Sequence, residues 1–402
     1  MSSNLITADN GVSSGVTGIT QSAGSDGTLQ LRTTTSGGSA VTALTLNNSQ
    51  QATFANTINV PNTFGFKNRI INGGLTISQY NGTSAITPAN NVYTIDRWVT
   101  SNSAVASKYS IAQSSVAPVG FSNSILITSL SAYTVGSTES FTVQQYIEGF
   151  NTADLSFGTA SAKTVTLSAW VQSSLTGTFG GSIENSAQSR SYPFSYSIPV
   201  ANTWTQISIT IPGDTTGTWI GATNGIGMQV RFSFGAGSTY QGTANAWVNG
   251  DIRTVTGQTS VVGTNGATFY ITGVQLEVGT QATSFDYRPY GTELVLCQRY
   301  YYSFYAGDTI GYSINTTLAV VGIPLPSTMR VAPSSLTVTP SNFNYFNGSN
   351  SLTVPSAIGL DAYTITYVGL VVTTTGLTAG QGGRLASLGT TPSYSVGLSA
   401  EL

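Results

Sequence analysis

The chain has 402 residues, of which only 7% are charged, 13 Lys or Arg against 15 Asp or Glu, and it contains no histidine. A net charge of -2 supplies no basic field for nucleic acid or anionic lipid, so both are excluded as partners. Without histidine, Ser-His-Asp and Cys-His catalysis and every histidine-ligated metal are excluded as well.

Hydrophobic residues at 40%, with 20 Tyr, 16 Phe and 5 Trp, provide enough apolar surface for a folded chain rather than a disordered one. Abundant Ser, Thr, Gly, Val and Tyr favour strands and tight turns, and the expected class is all-β. Cys297 is the single cysteine, which leaves no intrachain disulfide and no cysteine-based zinc site. "MSSNLITADN" has neither the basic start nor the apolar core of a secretory signal, and no run of about 18 apolar residues suggests a membrane span.

In chain order, residues 1–26 read as an attachment arm. Ser, Thr and Gly make up 27 of the first 60 residues, and Phe54 is the only aromatic among them. From Gly27, Leu29 and Leu31, Leu44 and Leu46, and Ile58 and Val60 alternate with polar positions, as in short strands with one apolar face. Such strands need partners, so residues 27–63 are expected to form an intertwined stalk of identical chains.

Residues 64–290 carry the aromatics and recurring turn signals of a two-sheet sandwich. In "KTVTLSAWVQ", Val165, Leu167, Ala169 and Val171 oppose Thr166, Ser168 and Trp170. "TWTQISITI" sets Ile207, Ile209 and Ile211 against Trp204, Gln206 and Ser208. "GMQVRFSF" sets Met228, Val230, Phe232 and Phe234 against Gln229, Arg231 and Ser233, and "FTVQQYIEGF" sets Phe141, Val143 and Ile147 against Gln144, Tyr146 and Glu148. The four strands thus share an apolar inner face and a polar outer face, which in three of them carries a Tyr or Trp.

Residues 291–305, "GTELVLCQRYYYSFY", read as a connecting segment containing a short helix, with Glu293 near its positive end and Arg299 near its negative end. Residues 306–402 are again strand-like, broken by Pro324, Pro326, Pro355 and Gly pairs, and form a small β-sandwich tip that closes on the edge strand "YSVGLSAEL".

Three stretches, "FKNRIINGGLTISQY" with "YTIDRW", "GVQLEVGTQATSFDYRPYGTELVLCQRYY" and the terminal "LSAEL", resemble a family of bacteriophage tail-fibre and virion structural proteins. "ALTLNNSQQATFANTINV" is similar to the shaft modules preceding such domains. The resemblance implies a jelly roll akin to carbohydrate-binding modules and a homotrimer on the virion. It further implies contacts to other virion proteins through the N-terminus and a distal domain meeting host surface polysaccharide. Synthesis in the host cytoplasm without a signal peptide goes with that reading, and neither tail nor head attachment is distinguished.

Candidate chemistry is sparse. Gly11–Gly15, "GVSSG", matches a nucleophile elbow but has no strand before it and no His after it, and no phosphate-cradling loop occurs. Glu148, Glu184, Asp214, Glu277 and Asp286 are the carboxylates that a glycosidase would have to pair, and the sequence does not pair them. Sandwiches of this type more often bind sugar than cut it, so no enzyme activity is expected. The alternatives to adhesion are a purely structural head or tail fibre or decoration protein, and then a polysaccharide depolymerase. The proposed carbohydrate contacts are Tyr146, Trp170 and Trp204 for stacking on sugar rings and Glu148, Gln206 and Arg231 for hydroxyls. Packing on neighbouring subunits is the competing account of those aromatics. Tyr300–Tyr302, Phe304 and Tyr305 are expected to pack around a trimer axis.

The charge-rich stretch Glu277, Asp286, Arg288, Glu293, Arg299 is read as a structural join between domains, in preference to a Ca²⁺ site; no cofactor beyond such a structural calcium is expected. Asp96, Arg97 and Trp98 are expected to form a buried, fold-specifying ion pair capped by the indole.

Overall fold

A computed structural model of the protein describes residues 20–23, 29–34, 40–46, 52–54, 66–102, 108–307, 309–348, 352–389 and 395–402. The motif at Gly11–Gly15, Ile58, Val60 and most of the expected attachment arm lie outside the described residues. The chain divides into two compact units, Met1–Thr63 and Phe64–Leu402.

In the first unit, strands Thr20–Ala23, Leu29–Thr34, Ala40–Leu46 and Ala52–Phe54 pair in sequence order as an antiparallel sheet. The register sets Leu29 opposite Leu46 and Leu31 opposite Leu44. All four leucines are half-buried and Phe54 is 45% exposed, since among the described residues this thin sheet has no second layer in its own unit to cover its apolar stripe.

The second unit opens with an antiparallel jelly-roll sandwich. Its five-stranded sheet runs, across the sheet, Thr205–Ile211, Val165–Ser173, Thr268–Val278, Ser124–Ser129 and Tyr109–Ser114. The facing seven-stranded sheet runs Val248–Asn249, Arg190–Ile198, Gly177–Glu184, Ile226–Ala236, Ser140–Glu148, Trp98–Asn102 and Val92–Ile95. The alternations expected from the sequence meet between them: Val165, Leu167, Val171, Phe141, Val143, Met228, Val230, Phe232 and Phe234 are all buried in one core.

One strand keeps its apolar residues inward only by slipping. In Thr268–Val278 the core residues are Phe269 and Ile271, then Val274 and Leu276, so the period-2 phase changes midway. The pairing register shifts at this point and Gly273 adopts φ 60, a bulge that turns both halves of the strand to the core. Glycine is also needed sterically, since a Cβ there would lie 2.6 Å from the Phe121 ring.

The helix Tyr290–Gln298 leads from the sandwich to a second β layer. There a three-stranded sheet, Tyr301–Phe304, Val396–Ser399 and Ser335–Thr337, packs with a seven-stranded sheet built from Thr309–Ser313 to Gly382–Ser387 around a separate core that includes Val321, Phe343, Leu370 and Leu398. Val396–Ser399, expected as an edge strand, is the central strand of its sheet, because both of its edges find hydrogen-bonding partners.

Tyr300 and Tyr301 are buried within their own chain rather than free to line an axis. Tyr301 stacks on Tyr80 with ring centroids 3.6 Å apart, and the Arg97 guanidinium sits 3.5 Å from the Tyr300 centroid. The expected Asp96–Arg97 pair is not made. Asp96 accepts from the backbone and side chain of Gln79, while Arg97 pairs with Glu401 and donates to the Tyr146 carbonyl at 2.6 Å. Both residues are nevertheless buried, and Trp98 donates its indole N–H to the Asn72 carbonyl, so the triplet is structural, as expected, with different partners.

Candidate functional site

Strand pairing separates the six proposed carbohydrate contacts. Tyr146 and Arg231 belong to the outer face of the seven-stranded sheet, Trp170, Trp204 and Gln206 belong to the outer side of the five-stranded sheet, and Glu148 lies where the sandwich meets the helix. Two opposite faces of a sandwich cannot hold one ligand.

The outer face of the seven-stranded sheet is roofed by residues 240–258. Arg253 donates to Ser140, Gln258 donates to Ser233 at 2.9 Å, and Thr254 and Val255 press on Gly180. Beneath this roof Arg231 is fully buried, with Nη2 3.2 Å from Glu184 and 2.7 Å from the side-chain Oε1 of Gln229, and Nη1 3.8 Å from Asp251. Burial pushes the Glu184 carboxyl up to about 7 against the pull of Arg231. Arg231 Nε, Glu184 Oε2 and Gln144 Oε1 are buried without a hydrogen-bond partner. Tyr146 is half-buried, its hydroxyl accepting from Gln144 at 2.6 Å. The face expected to read hydroxyls is therefore largely closed, because residues 240–258 cover it and Arg231 already has Glu184 of its own sheet and Asp251 of the cover as counter-charges.

Glu148 is occupied elsewhere. Arg299 donates to both of its carboxylate oxygens at 2.6 and 3.0 Å, and the Tyr300 hydroxyl adds a third bond at 2.6 Å. Burial opposes its charge, but the Arg299 and Tyr300 hydrogen bonds outweigh that cost and hold the carboxyl below its ordinary value. This bidentate pair joins the sandwich to the end of the helix.

The rest of the charge-rich stretch behaves in the same way. Glu277 accepts from Thr283 N, Thr283 Oγ1 and Gln275 Nε2, with Lys67 3.9 Å away. Glu293 accepts from Asn72 N and lies 3.4 Å from Arg288, which in turn donates to the Ile70 carbonyl at 3.2 Å. Protein donors fill the coordination sphere that the calcium reading assigned to a cation, and among the described residues no cluster of three or more His, Cys, Asp or Glu is placed to hold a metal ion. Two carboxylates of the hydrolase set remain: Asp286 accepts from Asn68 N at 3.3 Å with Arg288 3.8 Å away, and Asp214 is bound by Arg190 at 2.7 and 2.9 Å and by the Trp219 indole.

The outer face of the five-stranded sheet is different. Trp170 lies opposite Gln206 on one neighbouring strand and Thr272 on the other; one row along, Gln172 lies opposite Tyr270. Trp204, just before its strand, approaches Tyr270 across the intervening strand with ring centroids 6.1 Å apart. The three aromatics are half-buried and Gln206 is exposed. Gln172 Oε1 and Thr272 Oγ1 are buried without a hydrogen-bond partner. Sequence reasoning missed Tyr270, Gln172 and Thr272. The signal was present, since Tyr270 and Thr272 alternate against Phe269 and Ile271, but their adjacency to Trp170 depends on pairing between strands about 100 residues apart.

No protein-family model matches the chain, and no curated protein matches it. A tailspike domain of bacteriophage CBA120 matches 53% of this chain at 13% identity and a TM-score of 0.30, and the chain spans 21% of that protein. A sugar-binding protein of Bacteroides thetaiotaomicron matches 52% of this chain and 99% of its own at 12% identity and a TM-score of 0.32. A family 11 carbohydrate-binding module of a Clostridium thermocellum cellulase matches 50% of this chain and 97% of its own at 11% identity and a TM-score of 0.24. At such scores these likenesses leave fold and function to be argued from the chain's own geometry. Among the described residues, no helix is long and apolar enough to cross a membrane.

Proposed function

We propose that the chain is a binding subunit of a phage fibre, without catalytic activity, that adheres to neutral glycans of the host surface through the outer face of its five-stranded sheet. The observation that carries this reading is the half-exposed strip Trp204, Tyr270 and Trp170, interleaved with the amides of Gln172 and Gln206. Flat rings suit the C–H faces of pyranoses, and amides donate to and accept from hydroxyls in a fixed geometry. Such contacts are individually weak, and several copies on one particle multiply them by avidity. Stacking and neutral hydrogen bonds also make the adhesion nearly independent of salt.

Replacing Trp170 and Trp204 together by Ala is expected to weaken binding of fluorescent protein to host cells or their purified polysaccharide about tenfold or more, taking about 0.5–1.5 kcal/mol per aromatic contact. Unchanged binding at unchanged melting temperature would overturn this assignment.

Assembly from identical chains is part of the proposal, and the outer face of the tip sheet supports it. Ile310 is 74% exposed, Tyr312 56% and Leu352 54%, and they share that face with Val320, Val371 and Phe346. Seven strands about 4.8 Å apart and about six residues long span about 600 Å². That approaches the roughly 800 Å² each partner contributes to a standard interface. The double substitution Ile310→Asp, Tyr312→Asp is expected to raise the dissociation constant of the oligomer at least tenfold in light-scattering measurements. A monomeric wild type, or an unaffected variant, would remove the face from the assembly.

A further inference from the structure

A cavity lined by none of the residues of the aromatic strip lies elsewhere on the sandwich. It opens between the 3-10 turns Gly149–Asn151 and Ala153–Leu155 with the chain following them, and the loop carrying Trp219 to Ala222, with Gly227 and Met228 as its floor. The cavity measures about 460 Å³, within the range of small-molecule sites.

Its walls are pre-set. Trp219 is held by its indole N–H to Asp214 at 3.1 Å, and Asp214 is held by Arg190. The ring is further fixed edge-on to Phe157, centroids 4.9 Å apart, and to Trp247, 5.5 Å apart. Backbone bonds from Gly149 to Gly225, Phe150 to Thr223 and Ala222 to Gly149 tie the two walls together. Ser156 and Ala222, one in each wall, occupy left-handed conformations with φ 55 and 52, which L-residues adopt only where their surroundings impose them. Gly227 leaves the floor compact, since a Cβ there would lie 2.2 Å from the Thr152 hydroxyl.

No acid or base lines this cavity. Its polar groups are the hydroxyls of Thr152, Ser156, Thr159 and Ser161. Thr152 and Thr159 donate to main-chain carbonyls, and Thr159 Oγ1 already accepts from Ser161 N at 3.2 Å, which leaves one lone pair on Thr159 and both on Thr152 to accept from a ligand. A rigid indole beside acceptor hydroxyls, with no charge, selects an uncharged polyhydroxylated ligand with one apolar face. A walled cavity also differs from an open strip in what it admits: the strip takes internal segments of a chain, the cavity an end.

We infer that this cavity is a separate binding site for the terminal residue of a neutral glycan. It rests on the glycan-binding reading but uses none of the same residues, so the two can fail separately.

The test is titration of full-length protein with the methyl glycosides of glucose, galactose, mannose and N-acetylglucosamine, read at the indole N–H resonances, alongside binding of purified host polysaccharide. The variants are Ser161→Trp, which places a ring at an exposed rim position, and the double Trp170→Ala, Trp204→Ala. One glycoside is expected to bind saturably and shift the Trp219 signal, with affinity falling at least tenfold in Ser161→Trp and unchanged in the double variant. Glycoside binding lost in the double variant and kept in Ser161→Trp overturns the cavity site and leaves the strip standing. Binding that survives both variants, or no glycoside binding while polysaccharide still binds, also overturns it. No binding of either probe overturns both readings.

Discussion

Replacing Arg97 by Ala is expected to destabilise the second unit by about 3–5 kcal/mol, the usual consequence of removing one partner of a buried ion pair. Its side chain is 1% exposed and that of its partner Glu401 is 5% exposed. The guanidinium also donates to the Tyr146 carbonyl and lies over the Tyr300 ring. Without it, the buried Glu401 carboxyl loses its ion-pair partner, with Arg330 donating to its main-chain carbonyl instead, and the segment 396–402 loses an anchor in the sandwich.

That segment is otherwise held by Arg330, which donates to the Ala400 carbonyl at 2.7 Å, and by the Tyr93 hydroxyl, which donates to the Leu402 carbonyl at 2.9 Å. Urea unfolding measures the loss, and carboxypeptidase digestion is expected to trim the variant faster than the wild type. Glu401→Gln is expected to cost less, because Arg97 keeps Tyr146 and Tyr300. A loss under about 1 kcal/mol for Arg97→Ala, within the range for surface pairs, would show that the contact is not structural.

Thermal stability is expected to be highest near the unfolded carboxyl value, about pH 4, and to fall from there through the folded values of about 6 and 7. Burial pushes the Asp96 carboxyl up to about 6 against the hydrogen bonds from Gln79, and the Glu401 carboxyl up to about 7 against Arg97. Glu184 is likewise raised to about 7. The folded state therefore holds protons that the unfolded chain releases near pH 4, and stability declines as pH rises from the unfolded value through the folded one.

A rise of about two units corresponds to about 3 kcal/mol for a single group. On the acid side the sign reverses. Arg299 and Tyr300 hold Glu148, and Arg190 and Trp219 hold Asp214, below their ordinary values in spite of burial, so their contributions are lost only as pH falls through those lowered values. Calorimetry of wild type and Asp96→Asn across pH 4–8 checks this. The wild-type melting temperature should drop toward pH 8 and the variant's should drop less. A melting temperature that rises from pH 5 to 8 contradicts the assignment.

The contrast between Glu148 and Trp170 shows how far residue type alone leads. Both lie on alternating strands, both face away from the aliphatic side, and the sequence treats them as equivalent contacts. Glu148 is consumed by Arg299, 151 residues away, whereas Trp170 stays half-buried because, among the described residues, no comparable segment covers its sheet. Arg231 likewise reads as an exposed hydroxyl-binding group until residues 240–258 close over it.

What the sequence determined by itself was local or compositional. Period-2 alternation named the inward residues of Val165–Ser173 and Ile226–Ala236, and the missing histidines removed whole classes of chemistry. The same reading marked the 277–299 stretch as a join. What only the tertiary structure decided was pairing at long range. It set which sheet each strand entered, so that Trp170, Trp204 and Gln206 share a face with Tyr270 while Tyr146 and Arg231 lie on the other side. It also decided that Arg97 meets Glu401, not Asp96, and that Val396–Ser399 is a central strand. The physical reason is that alternation is fixed by the backbone geometry of a few successive residues, whereas strand order and ion-pair choice depend on contacts across 100 to 300 residues, to which no short stretch of sequence is sensitive.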